Sequence, residues 1–409
     1  SSQIASRAPF IVSPAGRSRS AGAVRLGYGR GDPRGNEPRE LVTINPVVPA
    51  KPHGVEVALA TMGQPPDDSQ IQQAQRLANA QLHVGDFKLE WQSSPWVDVA
   101  RAGDWLMQIA SRFKPDVIHL NGYAHASLPW GRPVLVVGHS CVLSWWQAVK
   151  GRPAGEQWAQ YKVAVARGLA CADTVVAPSR TMLLELERLY GPLGNVRVIH
   201  NARSRMQFRP APKEEFIFSA GRLWDEGKNI AVLRAVADEV EWPIYVAGPR
   251  SLEEPDPPAG QGLKELGILD EQTLASWMGR AAIYALPAYY EPFGLTALEA
   301  AMSGCALVLG DIDSLREIWG DAAAYVPPHD ARELAFAIRY LQRDERTRRT
   351  LAAKAFSRAL AYRPDRMSKE YLQTYDNIIR HKSPQPIGIT PRTPRLGEPG
   401  GPIVWTKSA

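Results

Sequence analysis

Cysteine is scarce: Cys141, Cys171 and Cys305 are the only three in 409 residues, and no two form a Cys-x-x-Cys pair. That excludes a disulfide framework and a structural zinc cage, and it leads to the expectation of a reducing, cytoplasmic location. Long apolar runs are missing too. The longest, 134–149, is broken by Gly138-His139-Ser140 and falls short of the ~20 residues a membrane span needs. It reads as a buried strand followed by a loop. There is no P-loop, and Gly27-Tyr28-Gly29-Arg30-Gly31 lacks the spacing of a dinucleotide fingerprint. Basic charge is not concentrated in the body of the chain. Of the net +6, residues 1–50 carry +4 and residues 382–409 carry +3, which leaves the middle near neutral. A nucleic-acid partner is therefore not expected. Up to Arg30 the chain is rich in Arg and Ser and has no acid, a composition shared with organellar transit segments. Pro9, Pro14 and several glycines interrupt any amphipathic helix there.

Against these absences stands an ordinary globular composition, 44% hydrophobic and 22% charged, in a chain long enough for roughly two to three domains. From residue 53 onward, apolar runs of strand length alternate with segments of helical period. Strands are predicted at 55–60, 87–91, 116–120, 134–137, 174–177 and 196–199. The helices between them are 71–80, 97–113, 156–172 and 179–190, with Ser179 as N-cap and Gly191 as stop. A second set follows, with strands at 216–219, 244–247, 283–286, 306–309 and 323–326. Its helices are 229–240, 271–280, 295–303, 331–341 and 345–360. Two successive βα alternations imply two α/β domains, each a doubly wound parallel sheet.

The divisions expected are an atypical Pro/Gly/Arg-rich segment at 1–52, a first Rossmann-like domain at 53–208 and a second at 209–362. A helix at 363–381 crosses back to the first domain. Residues 382–409, with six prolines and four glycines, read as a disordered tail. The segment 1–52 is unusual, because its strand candidates, 10–12 and 41–44, have no helix between them.

Chemistry concentrates in two blocks. Leu286-Pro-Ala-Tyr-Tyr-Glu291-Pro-Phe293-Gly294-Leu295 leads from a strand through a turn into a helix that carries Glu299 and ends near Gly304. Such a junction aims backbone N–H groups and the positive helix end at whatever precedes the helix, a natural phosphate site. Glu299 could accept hydrogen bonds from a diol such as ribose, or simply compensate the helix dipole. A glycosidase pair is disfavoured: eight residues of continuous helix separate two carboxylates by roughly 12 Å, against about 5–9.5 Å in glycosidases. The second block, Gly221-Arg222-Leu-Trp-Asp225-Glu-Gly-Lys228, places Arg and Lys beside another helix start, which suits a diphosphate or is simply a solvated turn with incidental basic residues.

Together these blocks resemble the retaining glycosyltransferases of family four, which have the GT-B fold: two Rossmann-like domains facing each other across a cleft. The match runs through Gly221–Lys228, Glu291-Pro-Phe-Gly-Leu, Leu298-Glu299-Ala-Ala-Met, Gly304, Ser314-Leu-Arg-Glu-Ile and Val326-Pro-Pro-His-Asp. It covers about residues 54–381. The resemblance implies a retaining, metal-independent hexosyltransferase-type enzyme with no cofactor, its donor a nucleotide-diphosphate sugar. Arg222 and Lys228 would hold the diphosphate, Glu299 the ribose, and Glu291 with Phe293, Gly294 and Leu295 the donor sugar. His139, just beyond the strand 134–137, resembles the histidine that family members set against that sugar, so His139 and Glu291 are the catalytic candidates. Asn121 and Gly122, at the same sheet edge, are candidates for the acceptor side. The acceptor would be a carbohydrate or a lipid-linked carbohydrate, with any membrane contact at most peripheral. Trp145 and Trp146 suit either sugar stacking or core packing.

Three departures stand out. The family's opening strand and glycine-rich loop have no recognisable counterpart before His53. The junction that usually reads Pro-Asn-Gly-Val-Asp is His200-Asn201-Ala202-Arg203-Ser204. Asp311-Ile312-Asp313 is formally a DxD, but it follows a strand where acids are common in this family, so no metal site is expected. The missing loop supports an alternative, a catalytically impaired protein that binds nucleotide sugars.

Overall fold

The computed structural model describes residues 55–63, 65–66, 68–77, 79–250 and 262–381, together with three strand segments nearer the start of the chain. The expected tail at 382–409 and most of the segment 1–52 lie outside the described residues. Strands of the first half are β1 (Phe10–Pro14), β2 (Arg25–Leu26), β3 (Ile44–Asn45), β4 (Val55–Thr61), β5 (Ala80–Val84), β6 (Val117–Leu120), β7 (Val134–Val137), β8 (Thr174–Ala177) and β9 (Val196–Val198). Those of the second half are β10 (Glu214–Ala220), β11 (Ile244–Ala247), β12 (Leu263–Glu265), β13 (Ala281–Leu286), β14 (Ala306–Gly310) and β15 (Ala324–Val326).

Runs such as Val134–Val137 and Thr174–Ala177 are buried at every position, as strands covered by helices on both faces must be. They build a seven-stranded sheet in the order β5-β4-β1-β6-β7-β8-β9; among the described residues β2 and β3 pair with each other. The second sheet has six parallel strands in the order β12-β11-β10-β13-β14-β15. This is the doubly wound order, with its reversal between β10 and β13.

The first sheet corrects the all-parallel expectation. β1 lies between β4 and β6 and runs antiparallel to both, with Pro14 opposite Val55 and Phe10 opposite Leu59 and His119. The C-terminal end of β1 therefore lies at the edge where the parallel strands begin. The cleft lies at the other edge.

Most helices fall within a residue or two of expectation. Trp96–Phe113, Arg180–Tyr190, Glu271–Arg280, Ala331–Arg343 and Glu345–Ala359 are observed. Ser179 does cap its helix, accepting from the Met182 N–H at 3.1 Å. The strand expected at 87–91 is instead a loop. Phe87 accepts one bond from the Gly63 N–H, Leu89 and Trp91 turn into the core, and Glu90 turns inward to the backbone of Tyr123 and Ala124. The loop expected after 134–137 contains a helix, Val142–Lys150. Helix Asp313–Trp319 and strands β5 and β12 had no counterpart among the expected elements.

Helix Pro364–His381 follows the second sheet in sequence but packs on the first. Met367, Tyr371, Tyr375 and Ile378 bury against Val117, Leu135, Val137 and Val176, and the Tyr375 hydroxyl is hydrogen-bonded to His119 Nδ1 at 2.7 Å. The chain thus crosses between the sheets twice. Among the described residues, no helix is long and apolar enough to cross a membrane.

Candidate active site

At the reversal of the second sheet, the loops leaving β10 and β13 diverge and open a crevice beyond the strand ends. A cavity of about 350 Å³ occupies that crevice, bounded by His139, Ser140 and Trp145 of the first half and by residues of the loops after β10, β11 and β13. Two backbones meet closely there. Gly248 has φ +144°, and a Cβ on it would fall 1.7 Å from the Gly221 carbonyl oxygen. Only glycine permits that approach.

Gly294 precedes helix Leu295–Met302 with φ +86°, the left-handed conformation that turns the chain from the β13 loop into the helix. The same turn lets Glu291 fold back. Its Oε1 accepts from the Gly294 N–H at 2.9 Å, while its Oε2 is ion-paired with Lys228 Nζ. Burial raises the Glu291 carboxyl. Lys228, the Gly294 N–H and Arg222 together outweigh burial and hold it below its ordinary value. Arg222 is ion-paired with Asp225, which also accepts from the Gly227 N–H at 3.0 Å and from Trp145 Nε1 at 3.1 Å.

Glu299, on the inward face of helix Leu295–Met302, is 3% exposed. Burial pushes its carboxyl up, and Arg203 offsets only part of that rise. The Arg203 Nε–H donates to Glu299 Oε1 from the segment joining the two sheets. Beside it the His200 ring packs against Phe293 and Tyr362, at centroid distances of 6.1 and 5.4 Å.

From the first half, His139 emerges after β7 and its Nε2 is hydrogen-bonded to Asn121 Oδ1 at 2.8 Å. His139, Arg222, Lys228, Glu291, Phe293, Gly294, Leu295 and Glu299 all line the one cavity. Asn121 reaches it only through His139. Gly122 sits beside the buried Glu90 carboxylate, off the cavity wall. Trp145 lines the cavity, whereas Trp146 packs edge-on to Trp145 and against Trp158. Asp311 lies outside the cavity, held by Arg316 Nη2 at 2.7 Å. Sequence reasoning missed Arg203, the double duty of Asp225, and the wall formed by Ile268, Leu269 and Leu274. The altered junction motif was the one signal that pointed towards Arg203.

The two halves also touch around the cavity mouth. The Tyr290 hydroxyl accepts from the Cys141 N–H at 3.1 Å and is hydrogen-bonded to Ser144 Oγ at 2.8 Å. Ser179 Oγ donates to the Pro292 carbonyl at 2.7 Å. Glu317 accepts from the Arg180 and Thr181 N–H groups at 2.7 and 2.8 Å, and so caps a helix of the opposite half.

Two cations, a helix start with its N–H groups, and buried carboxylates on one wall suit a phosphorylated, hydroxyl-rich ligand. The comparisons with known proteins agree. Residues 50–203 match the family model described as glycosyltransferase family 4, and residues 214–344 match that of glycosyl transferases group 1. A phosphatidyl-myo-inositol mannosyltransferase of Mycolicibacterium smegmatis is 31% identical over 169 residues, 39% of this chain and 44% of that protein. A glycogen synthase of Mycobacterium tuberculosis is 26% identical over 285 residues, 62% of this chain and 67% of that protein. The matched region thus spans less than half the first of these relatives and about two thirds of the second. Among solved structures, sucrose-phosphate synthase from Thermosynechococcus elongatus shares the fold with a TM-score of 0.63 at 21% identity, covering 73% of this chain and 84% of that one. Anabaena HepE, in complex with UDP and glucose, gives 0.62 at 15%, covering 78% and 91%.

The two domain matches and the paired Rossmann-like sheets place the chain among the GT-B glycosyltransferases that resemble family four.

Proposed function

We propose that the chain transfers a sugar from a nucleoside-diphosphate sugar to an acceptor hydroxyl, with retention of anomeric configuration and without a metal ion or other cofactor. The observation that carries this reading is the convergence of Arg222, Lys228, Glu291, the Gly294 turn and Glu299 on one cavity, with His139 facing them from the other domain. Arg222 and Lys228 would hold the diphosphate. Each already holds a carboxylate, but guanidinium and ammonium groups have donors to spare. Glu299 would take the ribose, and Glu291 with the backbone from Phe293 to Leu295 would take the donor sugar. His139, oriented by Asn121, would meet that sugar from the opposite wall.

In the transfer, the bond between the anomeric carbon and the β-phosphate oxygen breaks. The acceptor oxygen bonds to that carbon on the face the phosphate leaves, and the acceptor proton passes to the departing phosphate. Charge accumulates on the diphosphate, where the two cations stabilise it. Contact between the domains around the cavity excludes water and favours transfer over hydrolysis. The acceptor, carbohydrate or lipid-linked, would enter from the first domain, and a cytoplasmic site of action accords with the scarce cysteines. The relatives' names, a lipid mannosyltransferase and a glycogen synthase, support this general kind of acceptor.

The departure at the start of the chain supports a second reading. In the sequence, the family's glycine-rich loop has no recognisable counterpart before His53. The protein could then bind nucleotide sugars without turnover. Incubation with nucleotide sugars and an acceptor panel in EDTA, followed by mass spectrometry and proton NMR of the anomeric centre, separates the two. A retained glycoside plus nucleoside diphosphate is expected. Binding with neither product would favour the second reading, and an inverted product would overturn the stereochemistry proposed.

A further inference from the structure

Arg203 stands where the resembled family's junction motif has an apolar residue, and the structure gives it a definite place. Its backbone N–H donates to the Tyr362 carbonyl at 3.2 Å. That bond ties the first crossing between the domains to the second, because Tyr362 lies just before the helix that returns to the first sheet. Its side chain, 10% exposed, turns into the cavity and holds Glu299, whose own side chain is 4% exposed. The guanidinium engages one carboxylate oxygen, Oε1; among the described residues no hydrogen bond to Oε2 is formed.

A carboxylate this buried needs a partner to keep its charge and its direction. Glu271 also lines the cavity and acts against the Glu299 charge, so Arg203 is the group favouring it. With Oε1 held, Oε2 is left to accept from a ligand hydroxyl. We infer that Arg203 is a positioning residue: from the interdomain junction it fixes Glu299 so that the second carboxylate oxygen reads a ribose hydroxyl of the donor nucleotide. This rests on the proposed placement of ribose at Glu299. It adds that recognition of the sugar of the nucleotide is set by a residue of the hinge. Arg222 and Lys228, which would take the diphosphate, contact neither Arg203 nor Glu299 through any hydrogen bond observed.

The test is calorimetric titration of UDP, GDP and ADP and their 2′-deoxy and 3′-deoxy analogues into the full chain, comparing wild type with Arg203→Val and Arg203→Lys. A hydrogen bond to a charged acceptor corresponds to a preference of about tenfold or more for the ribonucleotide over one of its deoxy analogues in wild type. Arg203→Val should bring that ratio near one while retaining affinity for the deoxy analogue. Arg203→Lys, which keeps the charge without the Nε geometry, should give an intermediate ratio and remains informative should the valine variant fail to fold. Equal discrimination in wild type and both variants would overturn the inference while leaving the nucleotide site intact. Failure of every nucleotide to bind wild type would overturn the underlying reading, and the inference with it.

Discussion

Glu291 and Glu299 stand eight positions apart, and their surroundings push their carboxyl groups in opposite directions. At Glu291 burial alone would raise the pKa, but Lys228, the Gly294 N–H and Arg222 prevail and hold it below the ordinary 4.5. At Glu299 burial prevails over Arg203 and the value is raised. A group whose folded pKa is depressed contributes stability above its unfolded value and loses it as pH falls through the folded one. Between about pH 5 and 3, the denaturant midpoint of wild type should therefore fall more steeply than that of Glu291→Gln. Parallel acid limbs would show that the Lys228 pairing does not stabilise the ionised form. The residues of this wall were legible because strand, turn, Gly294 and helix follow one another locally. Arg203 was not. Its partner lies 96 positions away, and no local pattern announces a contact made only when two domains meet.

The elements that were legible carry their own punctuation. Asp270, Asp330 and Asp344 each accept from backbone N–H groups at the start of a helix, as Ser179 does. Helix Val142–Lys150 is buried along its first five residues and shows no polar face there, so its period is hidden. Helix Asp313–Trp319 is short and lacks a side-chain cap. The loop at 87–91 has strand-like composition, yet its partners are a buried carboxylate and the core, not a sheet neighbour. β1 could be read as a strand, but its direction is set by partners about 45 and 107 residues onward.

One lysine head group links two elements of the site. Lys213 Nζ donates to the Gly279 and Ser303 carbonyls at 2.8 and 2.6 Å, closing the C-terminal ends of helices Glu271–Arg280 and Leu295–Met302. Both helices line the cavity. Lys213→Met preserves volume but leaves these carbonyls without a donor, so unfolding free energy should fall by about 1–3 kcal/mol. Unchanged stability in equilibrium denaturation would show that the helix ends are satisfied without it.

For the whole molecule, polar contacts across the cleft set how the domains meet: Tyr290 with Cys141 and Ser144, Ser179 with Pro292, Glu317 with the helix start at Arg180, Trp145 with Asp225, and Lys150 with Glu226. Combining Tyr290→Phe with Glu317→Ala should raise the radius of gyration in small-angle scattering and leave the far-ultraviolet circular dichroism unchanged. An unaltered radius would show that the chain crossings and the remaining contacts of Trp145, Lys150 and Ser179 hold the domains together without these two. The two-domain plan was legible from the repeated βα alternation. How the domains meet was not, because those contacts join residues 76 or more positions apart.

The proposed function has the cleft hold a nucleotide diphosphate through side chains, without a metal. Calorimetric titration of UDP, GDP and ADP in the presence of EDTA, into wild type, Arg222→Ala and Lys228→Ala, tests it directly. Saturable binding of one nucleotide to wild type is predicted, weakened in each variant by about 1.5–3 kcal/mol, or roughly 10- to 150-fold. Binding that vanishes in EDTA, or that is equally tight in both variants, would contradict it.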